Sequence, residues 1–328
     1  MFKAIQIDKT DGQYAASLVE LDEQALPEGD VTVEIDYSSI NYKDALAITG
    51  RGPIVRQFPM VPGIDFAGKV IASDSADFAV GDRVLLTGWG VGERHWGGLA
   101  GKARVKAEWL TKIPANADAK QVMAIGTAGF TAMLCVQAVL DHGVKPEDGP
   151  VLVTGAGGGV GSCAAIILAT LGYQVTASTG RPQEADWMRD QLGVSEIINR
   201  EELSAPGKPL QKERWAAAVD TVGSHTLSNV CASVRYDGIV AACGMAQGMD
   251  LPATVAPFIL RGVTLRGIDS VMVNSAKRPA IWEKACQYLT PEVLSKLSEE
   301  YPLTDAITVA EKLLDGKIRG RAVIACKA

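Results

Sequence analysis

The sequence is poor in the groups that build metal sites and disulfide frameworks. Its three histidines, His95, His142 and His225, are far apart and show no H-E-x-x-H or H-x-x-x-H spacing. None of its six cysteines (135, 163, 231, 243, 286 and 326) pairs at C-x-x-C spacing. Such usage fits a reducing compartment with buried thiols, and metal catalysis lacks its ligands. Positive charge is not in excess: 32 Lys and Arg against 38 Asp and Glu leave a formal net charge of -6. That argues against a nucleic-acid or anionic-membrane partner, and an anionic ligand would need a local basic pocket. The apolar run 163–171 is nine residues, short of the roughly 20 that span a bilayer. The start, Met1-Phe2-Lys3-Ala4-Ile5, has no apolar signal core or cleavage site, so the expected location is cytoplasmic. There is no G-x-S-x-G elbow and no G-K-[ST], which argues against a serine hydrolase and a P-loop NTPase.

What is present is glycine where glycine has a physical task. The run Gly155-Ala156-Gly157-Gly158-Gly159-Val160-Gly161 lies between a short β-branched segment, Val151-Leu152-Val153-Thr154, and an apolar helical stretch, 162–171. Strand, glycine turn and helix together let backbone N–H groups at a helix N-terminus hold a pyrophosphate, an approach that side chains would block. Ala156 stands where the first glycine of G-x-G-x-x-G belongs, with Gly158 and Gly161 completing the pattern. An NAD site carries an acid about 20 residues on, at the end of the second strand, for the ribose 2′-OH. Here that strand, Tyr173-Gln174-Val175-Thr176-Ala177, runs into Ser178-Thr179-Gly180-Arg181. Two hydroxyls, a glycine and a guanidinium suit a 2′-phosphate, so the expected cofactor is NADPH; an ordinary turn with a solvated arginine is the alternative. Arg200, after Glu196-Ile197-Ile198-Asn199, is expected over the adenine or beside the same phosphate, or else is a solvated charge.

Residues 1–120 read as β-rich with glycine and proline punctuation, and 31–37 alternates inward and outward. Strand segments 68–72 and 82–86 follow. An apolar, helix-compatible stretch at 123–140 then gives way to alternation: strand 151–154, helix 162–171, strand 173–178, helix 184–192, strand 216–220, helix 224–234, strand 238–244 and an edge strand 263–268. This predicts the α/β class, with a doubly wound parallel (Rossmann) sheet and ligands at the carboxyl ends of its strands. Helices at 279–289 and 306–314 precede a late strand, 320–324, that would return to the first domain. The expected domains are 1–121 with 269–328, and 122–268; a chain of 328 residues has room for both.

These pieces, in this order, resemble the medium-chain dehydrogenase/reductase superfamily over essentially the full length. Asn41-Tyr42-Lys43-Asp44, Pro62-Gly63-Ile64-Asp65-Phe66-Ala67-Gly68, Gly81-Asp82-Arg83-Val84, Gly126-Thr127-Ala128-Gly129-Phe130-Thr131-Ala132 and the glycine loop carry the resemblance. It implies a β-rich GroES-like substrate domain, split between the two ends of the chain, with the Rossmann domain inserted. Zinc-dependent alcohol dehydrogenases of that superfamily have a cysteine ligand where Asn41 stands and Gly-His-Glu where this chain has Gly63-Ile64-Asp65. Their third ligand falls near Gly126-Thr127, and their four-cysteine lobe is absent here. The resemblance is therefore to the zinc-free, quinone-oxidoreductase-like branch, with no metal site. Within it, residues 41–50, Thr179-Gly180-Arg181 and Gly267-Ile268-Asp269-Ser270-Val271 look like the NADPH-dependent acryloyl-CoA reductase group. That implies reduction of acryloyl-CoA to propanoyl-CoA. An NADPH:quinone or enone reductase and, more remotely, a non-catalytic NADPH-binding protein are the alternatives.

The resemblance places Tyr42 beside the nicotinamide, where its hydroxyl would donate to the oxygen that gains charge; a core tyrosine is the competing view. Asn41 would orient a substrate or cofactor amide. Asp44 would hold Tyr42 or Lys43, or serve as a helix N-terminal acid. These three are the candidate catalytic residues. Gly158, Gly159, Val160, Gly161, Ser178, Thr179, Gly180, Arg181 and Arg200 are expected to line the cofactor together with Tyr42. Gly223, Cys243 and Gly244 would do so at strand ends, and Ile268, Ser270, Asn274 and Arg321 would reach cofactor or substrate. Arg51, Arg56, Lys277 and Arg278 are the expected cations for CoA phosphates, although each alone reads as a solvated charge. The edge strand 263–268 would pair with its twin in a homodimer, unless a helix or loop covers it.

Overall fold

The computed structural model of the chain describes residues 1–10 and 13–327. It divides into two compact units, Met1–Thr127 with Ser270–Ala328, and Ala128–Asp269.

In the first unit, β1 (Phe2–Thr10) and β2 (Gln13–Leu21) form an antiparallel pair additional to the expected strands. β3 (Val31–Ile40) leads into helix α1 (Tyr42–Thr49), then β4 (Asp65–Ser73), β5 (Arg83–Thr87), β6 (Lys102–Val105) and β7 (Thr111–Lys112). The alternation expected at 31–37 appears as burial from Val33 onward: Val33 and Ile35 are solvent-free and Glu34 and Asp36 are half-buried, whereas Val31 and Thr32 are both buried. Helix α2 (Ala119–His142) leaves this unit and is broken at Gly126, whose φ of 52° and ψ of -163° are not helical. By length and hydropathy alone α2 resembles a membrane span, but 83% of its apolar window is buried inside the protein.

The second unit alternates as expected. β8 (Val151–Thr154), α3 (Gly159–Thr170), β9 (Val175–Thr179), α4 (Ala185–Leu192), β10 (Glu196–Asn199), α5 (Glu201–Ser204) and β11 (Trp215–Asp220) come first. α6 (Ser224–Ser233), β12 (Val234–Ala242), α7 (Ala256–Arg261) and β13 (Thr264–Gly267) complete it. The sheet order is β10-β9-β8-β11-β12-β13 and every pair is parallel. Every residue of β8, β9 and β11 is buried, as strands covered on both faces must be. The order reverses between β8 and β11, and ligands of such sheets lie at the carboxyl ends beside that reversal.

The chain then returns to the first unit with α8 (Arg278–Tyr288), α9 (Pro291–Ser295), β14 (Ser298–Pro302), α10 (Ala306–Leu314) and β15 (Arg321–Ala325). β14 and β15 extend the first sheet in the order β14-β15-β3-β4-β5-β7, with β6 also pairing β3. Ala306, Val309 and Ala310 of α10, spaced three and four apart, bury one face on the same core.

Candidate active site

Helix α1 presents Tyr42 at its first position, and the ring is 54% exposed. It is not a core tyrosine, and its hydroxyl takes no hydrogen bond among the described residues. Two residues on, Asp44 is buried, with one carboxylate oxygen accepting the Asn41 N–H at 2.9 Å. This is the reciprocal contact of a helix N-terminal box. The other oxygen accepts the N–H groups of Gly63 at 3.1 Å and Ile64 at 2.9 Å. Asp44 therefore bonds neither the Tyr42 nor the Lys43 side chain, which corrects the expectation of a direct hold, and it fixes the start of α1 instead; Lys43 pairs with Glu93 at 2.9 Å. Burial pushes the Asp44 carboxyl up to about 7, against the pull of the N–H donors.

Asn41 also faces inward. Its Nδ2 donates to Asp65 Oδ2 at 2.7 Å, and its Oδ1 accepts from Arg321 Nη1 at 3.0 Å. Both ends of the amide are spent inside the unit, which corrects the expectation that Asn41 orients a substrate or cofactor amide. Asp65 further accepts the Ser39 hydroxyl at 2.7 Å and the Thr127 N–H at 2.8 Å. Arg321 is buried as well; its Nε donates to Ala124 O at 2.9 Å and its Nη2 to Ser39 Oγ at 3.0 Å, with Asp65 Oδ2 3.9 Å away. The expectation that Arg321 reaches cofactor or substrate is corrected accordingly. A Cβ on Gly126 would lie 2.4 Å from Arg321 Nη2 and 2.6 Å from Asp65 Oδ2, so only glycine fits the break in α2.

This network fills the place that resembles the zinc site of related dehydrogenases. Its donor set does not fit zinc. There is no thiolate or imidazole, and the single carboxylate of Asp65 already accepts several hydrogen bonds beside a guanidinium. Among the described residues, no group of three or more His, Cys, Asp and Glu gathers.

Two of the expected phosphate-binding cations are committed elsewhere. Arg278 is 1% exposed; its guanidinium donates to the carbonyls of Thr87, Ser270, Val271 and Val273 and lies 4.8 Å over the Trp89 ring. It is an internal strut, and a phosphate would have to displace main-chain acceptors to reach it. Arg51 faces Asp315 at 3.5 Å. Arg56 and Lys277 are exposed, as is Asn274, whose side chain accepts the Ala276 N–H; Ser270 is half-buried.

In the second unit, α3 begins at Gly159, three residues earlier than its apolar run suggests. Its first intrahelical bond runs from the Ser162 N–H to Gly158 O, so the N–H groups of Gly159, Val160 and Gly161 precede the helical ladder. Gly155 holds a φ of 60°, and a Cβ on Gly161 would lie 2.4 Å from Gly155 O. The loop thus packs too tightly for side chains, the shape of a pyrophosphate cradle. β9 ends in buried Ser178 and Thr179, followed by exposed Gly180 and half-buried Arg181. Arg181 donates to Gly157 O at 2.7 Å and faces Glu184 at 3.2 Å, which seats it on the glycine loop. Arg200 lies against Gly180, where a Cβ would meet its Nε at 2.6 Å. At the end of β11, buried Asp220 accepts the Thr154 hydroxyl at 2.7 Å and the Gly223 N–H at 2.8 Å, and burial raises its carboxyl. The Cys243 N–H donates to Asp220 O, and the Ile268 N–H to Ala242 O at 2.9 Å. Gly244 packs against Thr221 O, which a Cβ would meet at 2.0 Å. Asp65 stands in one of the motifs that carry the resemblance, yet the sequence assigns a role to neither it nor Asp220, because single buried acids carry no local pattern of their own.

Residues 27–115 match the family model of the alcohol dehydrogenase GroES-like domain, and residues 159–288 that of zinc-binding dehydrogenases. Acrylyl-CoA reductase AcuI of Ruegeria pomeroyi is 49% identical over 327 residues, 99% of each chain. The chain belongs to the medium-chain dehydrogenase/reductase family. Among solved members, the yhdH oxidoreductase of Salmonella enterica, in complex with NADP, matches with a TM-score of 0.97 at 50% identity, over 99% of this chain and 100% of that one. The Bacillus subtilis member yhfP, with NAD bound, matches with a TM-score of 0.94 at 41% identity, over 99% of both.

Proposed function

We propose that the chain reduces acryloyl-CoA to propanoyl-CoA with NADPH and without a metal ion. The observation that carries this reading is the end-to-end likeness to an acrylyl-CoA reductase. The end of β9, which has no acid and is followed by Arg181, supports the phosphorylated cofactor. Bound NADPH supplies a hydride for Cβ of the enoyl thioester. The N–H groups of Gly159, Val160 and Gly161 hold its pyrophosphate, and Arg181 with Thr179 and Arg200 holds its 2′-phosphate. Gly158, Ser178, Gly180, Gly223, Cys243, Gly244, Ile268, Ser270 and Asn274 line the cofactor. Tyr42 donates a hydrogen bond to the thioester oxygen as that oxygen gains charge, and Cα takes a proton. Asn41 and Asp44 act behind Tyr42 as positioning residues.

The protein works in the cytoplasm as a homodimer, with β13 pairing its twin across a two-fold axis; nucleic acid and membrane are not partners. Oxidation of NADPH by the purified chain, compared with acryloyl-CoA, crotonyl-CoA and a benzoquinone as acceptors, is the test. Turnover is expected to be fastest with acryloyl-CoA. Fast quinone turnover with inert thioesters would make the chain a quinone reductase, and no turnover at all would leave a cofactor-binding protein.

A further inference from the structure

With Arg278 and Arg51 committed elsewhere, the first unit offers a different cationic surface. The loop after α1 runs beside the turn at residues 90–94. The Arg56 N–H donates to Glu93 O at 2.9 Å, and the Trp96 indole N–H to Pro59 O at 3.1 Å. The Gln57 side chain donates to Arg94 O, so Arg56 and Arg94 leave neighbouring positions of two linked segments. Both are exposed, and among the described residues neither meets a carboxylate. The nearest acid in sequence, Glu93, is taken by Lys43 at 2.9 Å. Other exposed lysines of the unit do meet carboxylates, as in Lys120 with Glu300 and Lys327 with Asp36.

An exposed aromatic ring completes the patch. Phe58 is 37% exposed, with Lys9 Nζ 6.0 Å from its centroid and Tyr14 edge-on at 5.8 Å. The Tyr14 hydroxyl donates to Ala47 O in the last turn of α1. The ring therefore sits at the far end of the helix that begins with Tyr42, about 12 Å along an eight-residue helix. A phosphopantetheine arm is long enough to run that length.

We propose that Arg56, Arg94 and Phe58 form the subsite for the nucleotide end of a CoA thioester, an assignment that rests on the thioester reading above. Guanidinium forks match phosphate oxygens, and a phenyl face stacks a purine. A chain of net charge -6 repels a polyanionic substrate unless cations are gathered where it docks.

The test compares the full-length wild-type chain with Arg56→Gln/Arg94→Gln and with Phe58→Ala. Loss of charge-assisted bonds or of base stacking is expected to raise the Kd for propanoyl-CoA and the KM for acryloyl-CoA about tenfold or more. The kcat, the NADPH affinity and the unfolding midpoint are expected to stay at wild-type values. Added salt should raise the wild-type KM steeply and that of the double variant little. Unchanged CoA binding and KM in both variants, in a wild type that reduces acryloyl-CoA, overturns the subsite. So does an equal loss of NADPH affinity, which marks a general charge effect. A wild type that reduces a quinone but neither binds propanoyl-CoA nor reduces acryloyl-CoA overturns the thioester reading instead.

Discussion

Asp65 and Thr127 meet through both oxygens of one carboxylate: the Thr127 N–H donates to Oδ2 at 2.8 Å, and its hydroxyl donates to Oδ1. Thr127 follows the left-handed Gly126, so Asp65 supplies the acceptor that the resuming half of α2 needs for its first N–H. Arg321 closes the arrangement by holding Ala124 O on the other side of the break. Segments from the start, middle and end of the chain are thus tied at one buried point.

Arg321→Met should be costly. It leaves Asp65 buried without its cation and removes donors to Ala124 O, Asn41 Oδ1 and Ser39 Oγ, a loss on the order of 3–5 kcal/mol. Arg321→Lys should rescue little, because an ammonium on a flexible stem cannot serve three separated acceptors as a planar fork does. Denaturant melts of both variants check this, and a wild-type midpoint in Arg321→Met would show that the network holds nothing.

Tyr42→Phe should lower kcat with acryloyl-CoA by about 10²–10³-fold, the usual effect of removing one donor to a developing oxyanion. The ring is more than half exposed, so folding and NADPH affinity should not change. Stopped-flow kinetics with NADPH-saturated protein separates the two, and unchanged turnover would remove Tyr42 from the chemistry.

Arg181→Gln should weaken NADPH by roughly tenfold or more while leaving NADH almost untouched, since only the 2′-phosphate calls on the guanidinium. Because Arg181 also holds Gly157 O and Glu184, the ratio of the two cofactor affinities is the informative readout. Equal weakening of both cofactors would assign Arg181 to the loop's shape alone.

Asp44 gives stability a pH dependence of definite sign. Burial raises its carboxyl from an ordinary 3.8 to about 7 in the folded chain. Between those values the folded protein keeps a proton that the unfolded chain has released, so stability is full below about pH 4 and declines as pH rises toward 7, by roughly 1–4 kcal/mol. Asp44→Asn cannot titrate and should show a shallower decline over the same window. Unfolding midpoints at pH 5 and pH 8 for both chains decide it, and parallel slopes would place the titrating group elsewhere.

Features written into adjacent residues were legible in the sequence. The glycine loop was, because strand, turn and helix follow within about twenty residues and only close backbone approach explains the glycines. The helix N-terminal acid at Asp44 was legible for the same reason, as its partner Asn41 lies three residues away. The Arg321 contacts span 197 to 282 residues and left no pattern. The break at Gly126 was hidden because apolar residues continue on both sides of it, so periodicity reads one helix. Arg278 read as a solvated loop cation; charge in a sequence says nothing of carbonyls folded around it.

Those carbonyls carry a further consequence. Arg278 grips the path of residues 270–273 through the main-chain oxygens of Ser270, Val271 and Val273. Bonds to main-chain oxygens do not depend on which side chains the segment carries, so this stretch can exchange residues and keep those three bonds. Substitution can then retune what the segment touches while its course stays fixed, which makes it a natural place for relatives with different substrates to diverge.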